Sequence, residues 1–553
     1  MQLALHFVDY VIIALYFVFV IGIGFMVRKN IKSANDYLMS NRSIPLWITS
    51  LAFISANLGA QEVIGMVASG AKYGLLTIHF YIAAIPAMLF LGLFMMPFYY
   101  GSKARSVPEY LAMRYDEKTR TFNAFTFGFM TIFSSGISLF ALAKLLEVIA
   151  GWGFGVSILV VAAIVMGYIF SGGLTSAVYN EVLQFFLIVL GIAPLVIIGI
   201  YKMGGANGLI NNLHPNMLHI WSNLGSAESN GMGLNWWQML SGLWFVLGFG
   251  YWCTDFLVVQ RAMIAKNLGI AKKTPIVAAF PKLFMPLIVI LPGLIAVALV
   301  KLPTSGYAIP LKADGALDYN MVLPSLLSSL YPSGMLGLGI TALIASFMSG
   351  MAGNVTAFNT VFTFDIYQAH IRKNASDNHY LRVGKMATVF GILASIGTAY
   401  LADSFNNIMD FLQLIFGFVN APLFATFLLG MFWKRTTGSG AFWGLIAGTL
   451  AAAIAHGLSL AENKGAWLGI NLYTFNSVMA QAFMVALIAW VACFVVTIAI
   501  SLVTRPKLDE ELAGLVYSLT PKPVYVAQTW YKSEKVLAVI ILILTAVVSI
   551  ILI

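Results

Sequence analysis

Lys282 and Glu62 stand deep inside apolar stretches of a 553-residue chain in which only 9% of residues are charged. An ionised side chain at such depth is costly, so it pairs, touches a substrate or lines a watery path. The two could pair with each other, which would remove much of both penalties. Lys282 also follows Pro281, whose ring frees a backbone carbonyl that a lysine can satisfy. Glu62 closes a run that suits a straight helix poorly: Ser55-Ala56-Asn57-Leu58-Gly59, then Gln61-Glu62, with Gly65 and Gly70 following. A second such run has Gly242, Gly248 and Gly250, then Tyr251-Trp252-Cys253-Thr254-Asp255. Where an apolar helix breaks, exposed carbonyl oxygens can replace the hydration shell of a small cation, and half-helix ends can hold polar atoms of a solute. The other reading of these glycines is close helix packing.

Chemistry of other kinds lacks its residues. HExxH and GxSxG do not occur, which argues against an intramembrane enzyme, and no GxxxxGK[ST] offers ATP as an energy source. Cys253 and Cys493 lie in apolar stretches without CxxC or Cys/His spacing, so neither a disulfide framework nor structural zinc is expected. Lys144 and Glu147, three apart, read as a structural pair on one helix turn. His79 and His456 read as packed or interfacial side chains, and Asp255 and Arg261 as gate or scaffold charges.

The elements that must position these residues follow from composition. Sixty per cent of the chain is hydrophobic and mean hydropathy is +0.88, whereas soluble proteins carry about 25% charged residues. Lipid is therefore the solvent for most of the chain, which excludes a cytosolic enzyme, a secreted protein and a free nucleic-acid binder. With roughly 20 apolar helical residues per crossing, the sequence predicts 14 transmembrane helices: 8–27, 46–70, 76–100, 123–150, 155–171, 176–201, 235–259, 275–302, 334–367, 384–402, 405–432, 439–458, 476–503 and 536–553. Helices are required because lipid offers open backbone groups no partner. The first reads as a span, not a cleaved signal, since no positive residue precedes it and Arg28-Lys29 follows.

Alternate loops hold 24 of the lysines and arginines, and the opposite loops hold five. This places both termini outside a multi-pass protein of the cell membrane, and it assigns the +10 net charge to cytoplasmic loops and anionic lipid. Loops 202–234 and 303–333 are expected outside with short local helices, and 504–535 inside as a solvated connector.

If spans 2–6 form one five-helix unit and spans 7–11 its inverted copy, the two interrupted spans are the first helices of units that insert in opposite directions. The expected organisation is an extra N-terminal helix with its loop (1–45), a first repeat (46–201), an outer loop (202–234), a second repeat (235–432) and C-terminal extra helices (433–553). Interrupted spans in corresponding positions of two halves point to a transporter's midplane site.

Six stretches now carry a resemblance: LAFISANLGAQEVIGM, SVPEYLAMRY, GGLTSAVYNEVLQ, WCTDFLVVQR, VFTFDIY and FLLGMFWKRTT. In this order and spacing the chain resembles the solute:sodium symporter family, closest to its sodium/glucose cotransporter branch, over roughly residues 8–500. The resemblance implies an all-α, LeuT-like five-plus-five inverted-repeat core with flanking helices, alternating access, and uptake of a small polar solute with sodium. It implies sodium ligands at the carbonyls of Ser55, Leu58 and Ser346 and the hydroxyl of Ser349. Gly350 stands where the family usually has a second hydroxyl. Serine hydroxyls in such helices otherwise bond back to the preceding turn. Glu181 matches an aspartate on the family's ion exit route, or reads as a carboxylate snorkelling near the surface.

For the solute, the resemblance places Asn57, Lys282 and Gln413 on ring hydroxyls and Tyr251 as a stacking inner gate. Glu62 replaces a glutamine, Tyr81 a glutamate and Gly248 an asparagine. Met66 and Met409 serve as pocket walls or as ordinary packing. The expected function is sodium-coupled import of a sugar or polyol. The alternatives are a small carboxylate or other non-sugar solute, or an ion-uncoupled facilitator or sensor. The implied partners are solute, sodium and membrane lipid, with no organic cofactor and no nucleic acid.

Overall fold

The computed structural model describes residues 5–29, 31–312, 314–402, 407–520 and 533–552. Lys522 and Lys532, counted above among the cytoplasmic charges, lie outside the described residues, as does most of the second half of connector 504–535. Each of the fourteen apolar stretches is helical over most of its length. By length and composition, however, the described residues hold ten helices able to cross a membrane, or up to twelve if each of two bent pairs is one span. Leu46–Asn57 and Phe154–Gly167 are apolar but shorter. The number of crossings is therefore not fixed at fourteen.

The first interruption falls where the polar run predicts it. Helix Leu46–Asn57 ends with the Leu58 N–H donating to the carbonyls of Ile54 and Ser55, and Gly59 opens helix Ala60–Tyr73. The break packs against the long helix Met335–Val361 at a backbone crossing. A Cβ on Gly59 would lie 2.9 Å from the Gly350 Cα, and one on Gly350 would lie 2.8 Å from the Gly59 Cα. Only glycine at both positions permits this approach.

The second interruption differs from expectation. Trp236–Thr254 runs on as helix through the glycines, because Met239–Gly248 is wound as a wide π-helix that absorbs them. The bend, 46°, comes at Asp255. There the carboxylate accepts the Leu257 N–H at 2.9 Å and caps Phe256–Met263. A further bend that the sequence reading passed over, 45°, separates Leu268–Phe284 from Pro286–Lys301, where Pro286 removes a backbone donor.

Around this core, Phe7–Arg28 exposes Phe7, Val18 and Met26 as a lipid-facing stripe and buries Asp9. That carboxylate accepts the backbone N–H groups of Gly334 and Gly337, both at 2.7 Å, and so caps Met335–Val361 from another helix. Short helices occur in loops 202–234 and 303–333 as expected, at Ala206–Asn211 and Val322–Leu330. Among the described residues, the exception to the all-α reading is a small sheet in which Ser459–Ala461 pairs antiparallel with Lys464–Gly465 and parallel with Tyr473–Thr474.

Candidate functional site: a cavity at the helix breaks

Asn57 ends the first half-helix with its side chain buried, and Lys282, Glu62 and Tyr251 converge on it from three other helices. The Asn57 Nδ2 donates to the Tyr251 hydroxyl at 2.9 Å. The Lys282 Nζ donates to the Asn57 Oδ1 at 2.7 Å and to the Glu62 Oε1 at 2.8 Å. The other Glu62 oxygen accepts the Tyr81 hydroxyl. The Lys282 ammonium also lies 4.3 Å from the Tyr81 ring centroid and 4.9 Å from that of Trp252. The expected Glu62–Lys282 pair is thus present, and its charges cancel inside a fully hydrogen-bonded cluster.

These groups border a small cavity of about 40 Å³. Its polar wall is Asn57, Gln61, Glu62, Lys282 and Gln413. The apolar wall includes the rings of Tyr251, Trp252, Phe80 and Phe416, with Met66 and Met409. Tyr251 and Phe416 lie 5.0 Å apart between ring centroids, inclined at 32°. Gly248 lines the cavity too, from inside the π-wound turn. Tyr81 does not: it stands behind Glu62 and holds that carboxylate. Two carboxamides keep hydrogen-bonding capacity. Gln61 Oε1 has no partner among the described residues, and Gln413 Nε2 reaches only the Met409 sulfur at 3.8 Å.

Sequence reasoning named Gln61 and Trp252 as parts of the broken runs without assigning them to the cavity, and it missed Phe416 and Phe80. A signal for Phe416 was present. Met409, Leu412, Gln413 and Phe416 recur at helical spacing, so one polar member places the others on its face.

Of the oxygens that the resemblance assigns to sodium, the Ser55 carbonyl and the Ser349 hydroxyl are in contact, and the Leu58 carbonyl is reached by the Ser346 hydroxyl, not by the Ser346 carbonyl named for the ion. Ser346 Oγ donates to the Leu58 carbonyl at 2.8 Å, and Ser349 Oγ donates to the Ser55 carbonyl at 2.9 Å. The two hydroxyls reach across to the broken helix, in place of the back-bonding to their own helix that the sequence also allowed. Ser55 Oγ and Ser349 Oγ are 3.4 Å apart. Such a set of neutral oxygens suits a hard cation. Gly350 contributes the backbone crossing with Gly59 described above.

Glu181 is wholly buried, so it does not snorkel to the surface. Both its oxygens accept from the Arg261 guanidinium, which the sequence reading placed as a gate or scaffold charge. Arg261 also donates to the Leu257 carbonyl at 2.9 Å. At the far end of Ala60–Tyr73 from the break, Lys72 bridges Asp410 at 3.1 Å and Glu462 at 2.8 Å, and the Tyr73 hydroxyl donates to Asp410. His79 is packed, with its ring bonded to the Ile220 carbonyl and to the Trp244 indole. Lys144 and Glu147 pair at 3.3 Å, and both cysteines are free, buried thiols.

A helical membrane protein whose broken spans enclose a polar cavity is, by fold and site, a LeuT-like transporter. The Sodium:solute symporter family model matches residues 37–448, and the chain belongs to that family. It is 29% identical over 461 residues to the sodium/glucose cotransporter of Vibrio parahaemolyticus, covering 80% of this chain and 84% of that one. The sodium/myo-inositol cotransporter of Canis lupus familiaris is 27% identical over 543 residues, covering 93% of this chain and 75% of that one. Among solved structures, the substrate-bound outward-open state of a Na+-coupled sialic acid symporter superposes with a TM-score of 0.76 at 21% identity. That match covers 91% of this chain and 98% of the other, and it supports the fold.

Proposed function

We propose that this protein is a sodium-coupled symporter that imports an uncharged polyhydroxy solute, a sugar or a polyol such as inositol, by alternating access. The observation that carries this reading is the closed Lys282–Glu62 pair. A carboxylate solute would need a free cation in the cavity, whereas here the cation is neutralised and hydrogen-bonded. Hydroxyl-rich rings suit what is left: carboxamides with spare capacity and the aromatic faces of Tyr251, Trp252 and Phe416. The relatives named for glucose and myo-inositol support the same class.

In this reading, Asn57, Glu62, Lys282 and Gln413 bind the solute, Gly248 leaves room for it and Tyr251 closes over it. Tyr81 acts through Glu62. The carbonyls of Ser55, Leu58 and Ser346 with the Ser349 hydroxyl hold sodium, beside Gly350, and Glu181 lies on the ion's inward route. The five-helix units 46–201 and 235–432 rock about the site, with 1–45 and 433–553 flanking them and both termini outside the cell membrane. The break joins the two ligands physically, since Leu58 adjoins Asn57; sodium that orders the break also orders a solute contact. One sodium ion crossing 100 mV releases about 2.3 kcal/mol and a tenfold gradient adds roughly 1.4. Together they sustain a solute ratio on the order of several hundred. No chemical conversion is involved, so the protein acts as a carrier and not as an enzyme.

The test is uptake of radiolabelled glucose and myo-inositol into proteoliposomes, with sodium or potassium outside, competed by sugars, polyols and small carboxylates. Uptake should need sodium, rise with an inside-negative potential and resist carboxylates. Equal uptake in potassium, or competition by carboxylates alone, would overturn the reading.

A further inference from the structure

The Gly350 neighbourhood contains an oxygen that no part of the mechanism above uses. Ser138, on the helix Glu117–Ala150, is completely buried, and its hydroxyl has no hydrogen-bond partner among the described residues. Buried hydroxyls in helices ordinarily bond back to the carbonyl one turn earlier. In this protein Thr131, two turns before Ser138 on the same helix, bonds to Phe127 at 3.1 Å, and Ser395 bonds to Gly391 at 2.7 Å. Ser138 forgoes that local acceptor. Its Oγ lies instead 2.9 Å from the point that a Cβ on Gly350 would occupy, on the side where Gly350 meets the Gly59 Cα.

Two facts meet at this point. Position 350 carries no side-chain oxygen, and the 2.8 Å approach to Gly59 leaves no room for one on the present backbone. Beside the same crossing, a third helix supplies a buried hydroxyl with an unsatisfied oxygen. Ser346, Ser349 and Gly350 share one face of Met335–Val361, and that face meets the Leu58–Gly59 break.

We propose that Ser138 is a sodium ligand, its hydroxyl standing in from the helix Glu117–Ala150 for the oxygen that Gly350 lacks. The ion is then held by three helices and not two. Sodium binding therefore ties Glu117–Ala150 to the break as well as to Met335–Val361. The inference rests on the sodium site assigned above.

The probe is sodium alone: 22Na+ binding to the purified full-length protein, with no solute present, and displacement by lithium. Ser138→Ala should raise the sodium dissociation constant about tenfold or more, as expected for losing one bond to a charged group, and should change the sodium-to-lithium preference. Ser138→Cys keeps the size but offers a soft sulfur to a hard cation, so it should weaken binding to a similar extent. Ser349→Ala is the control for the site itself. Wild-type sodium binding by Ser349→Ala overturns the site, and the inference with it. Weakened binding by Ser349→Ala, with Ser138→Ala and Ser138→Cys both within twofold of wild type in affinity and ion preference, overturns the role of Ser138 alone.

Discussion

Lys282 Nζ lies 2.8 Å from Glu62 and 2.7 Å from Asn57, so one ammonium ties the helix Leu268–Phe284 to both sides of the break at Leu58–Gly59. The cavity wall is thereby charged in its parts and neutral as a whole. A solute that enters meets oriented donors and acceptors, not a net field.

Lys282→Ala leaves a buried Glu62 carboxylate without its counter-charge. It should lower stability by about 3–5 kcal/mol, while the double variant Lys282→Met with Glu62→Leu should regain most of that loss. Unfolding in detergent reads the stability. Uptake should stay abolished in both, because the polar contacts are gone. Single and double variants of equal stability would show that the pair is not coupled.

Among the described residues, the Gln413 amide nitrogen donates only to the Met409 sulfur, at 3.8 Å. Gln413→Ala should therefore leave the melting temperature nearly unchanged. It should raise the KM for sugar roughly three- to tenfold, the worth of one neutral hydrogen bond. A wild-type KM would remove Gln413 from the solute site.

The family resemblance implies that Gly350→Ser should tighten sodium activation if Gly350 borders the ion. The backbone crossing reverses the expected sign. Gly350→Ser would press its Cβ to 2.8 Å from the Gly59 Cα, an overpacking worth about 1–3 kcal/mol. The variant should be less stable and should need more sodium for half-maximal uptake. Tighter sodium activation would mean that the two helices can part without cost.

Lys72, Asp410, Tyr73 and Glu462 form a closed network between the cavity and the sheet at 459–474. Lys72→Ala removes the cation and leaves Asp410 buried beside a tyrosine. The cavity should then open more often on this face. Met66→Cys supplies a reporter on the cavity wall, because Cys253 and Cys493 are buried. Labelling by a membrane-impermeant maleimide added outside should run several-fold faster in the Lys72→Ala background, and an unchanged rate would deny the network a gating role.

What the sequence made legible, it did through cost. A charge or amide in an apolar stretch is expensive, so Asn57, Glu62 and Lys282 announced themselves and are found in contact. Glycine is a weaker signal because it serves two ends. The Gly242, Gly248 and Gly250 run looked like an unwound segment, yet a π-wound helix accommodates it and the bend waits for Asp255. Residues that matter through distant partners were silent. Nothing around Asp9 shows that it caps a helix more than 300 residues away, and nothing in a serine-rich helix singles out Ser138 before Gly350 is placed beside it.

The Asp9 cap has a mechanical consequence. Its carboxylate fastens the N-terminal helix to the start of Met335–Val361, the helix that carries Ser346 and Ser349. This largely exposed, lipid-facing helix therefore shares a frame of reference with the proposed ion site's scaffold. A spectroscopic label on its lipid face would travel with that scaffold, and distances measured from it would record the rest of the molecule swinging past.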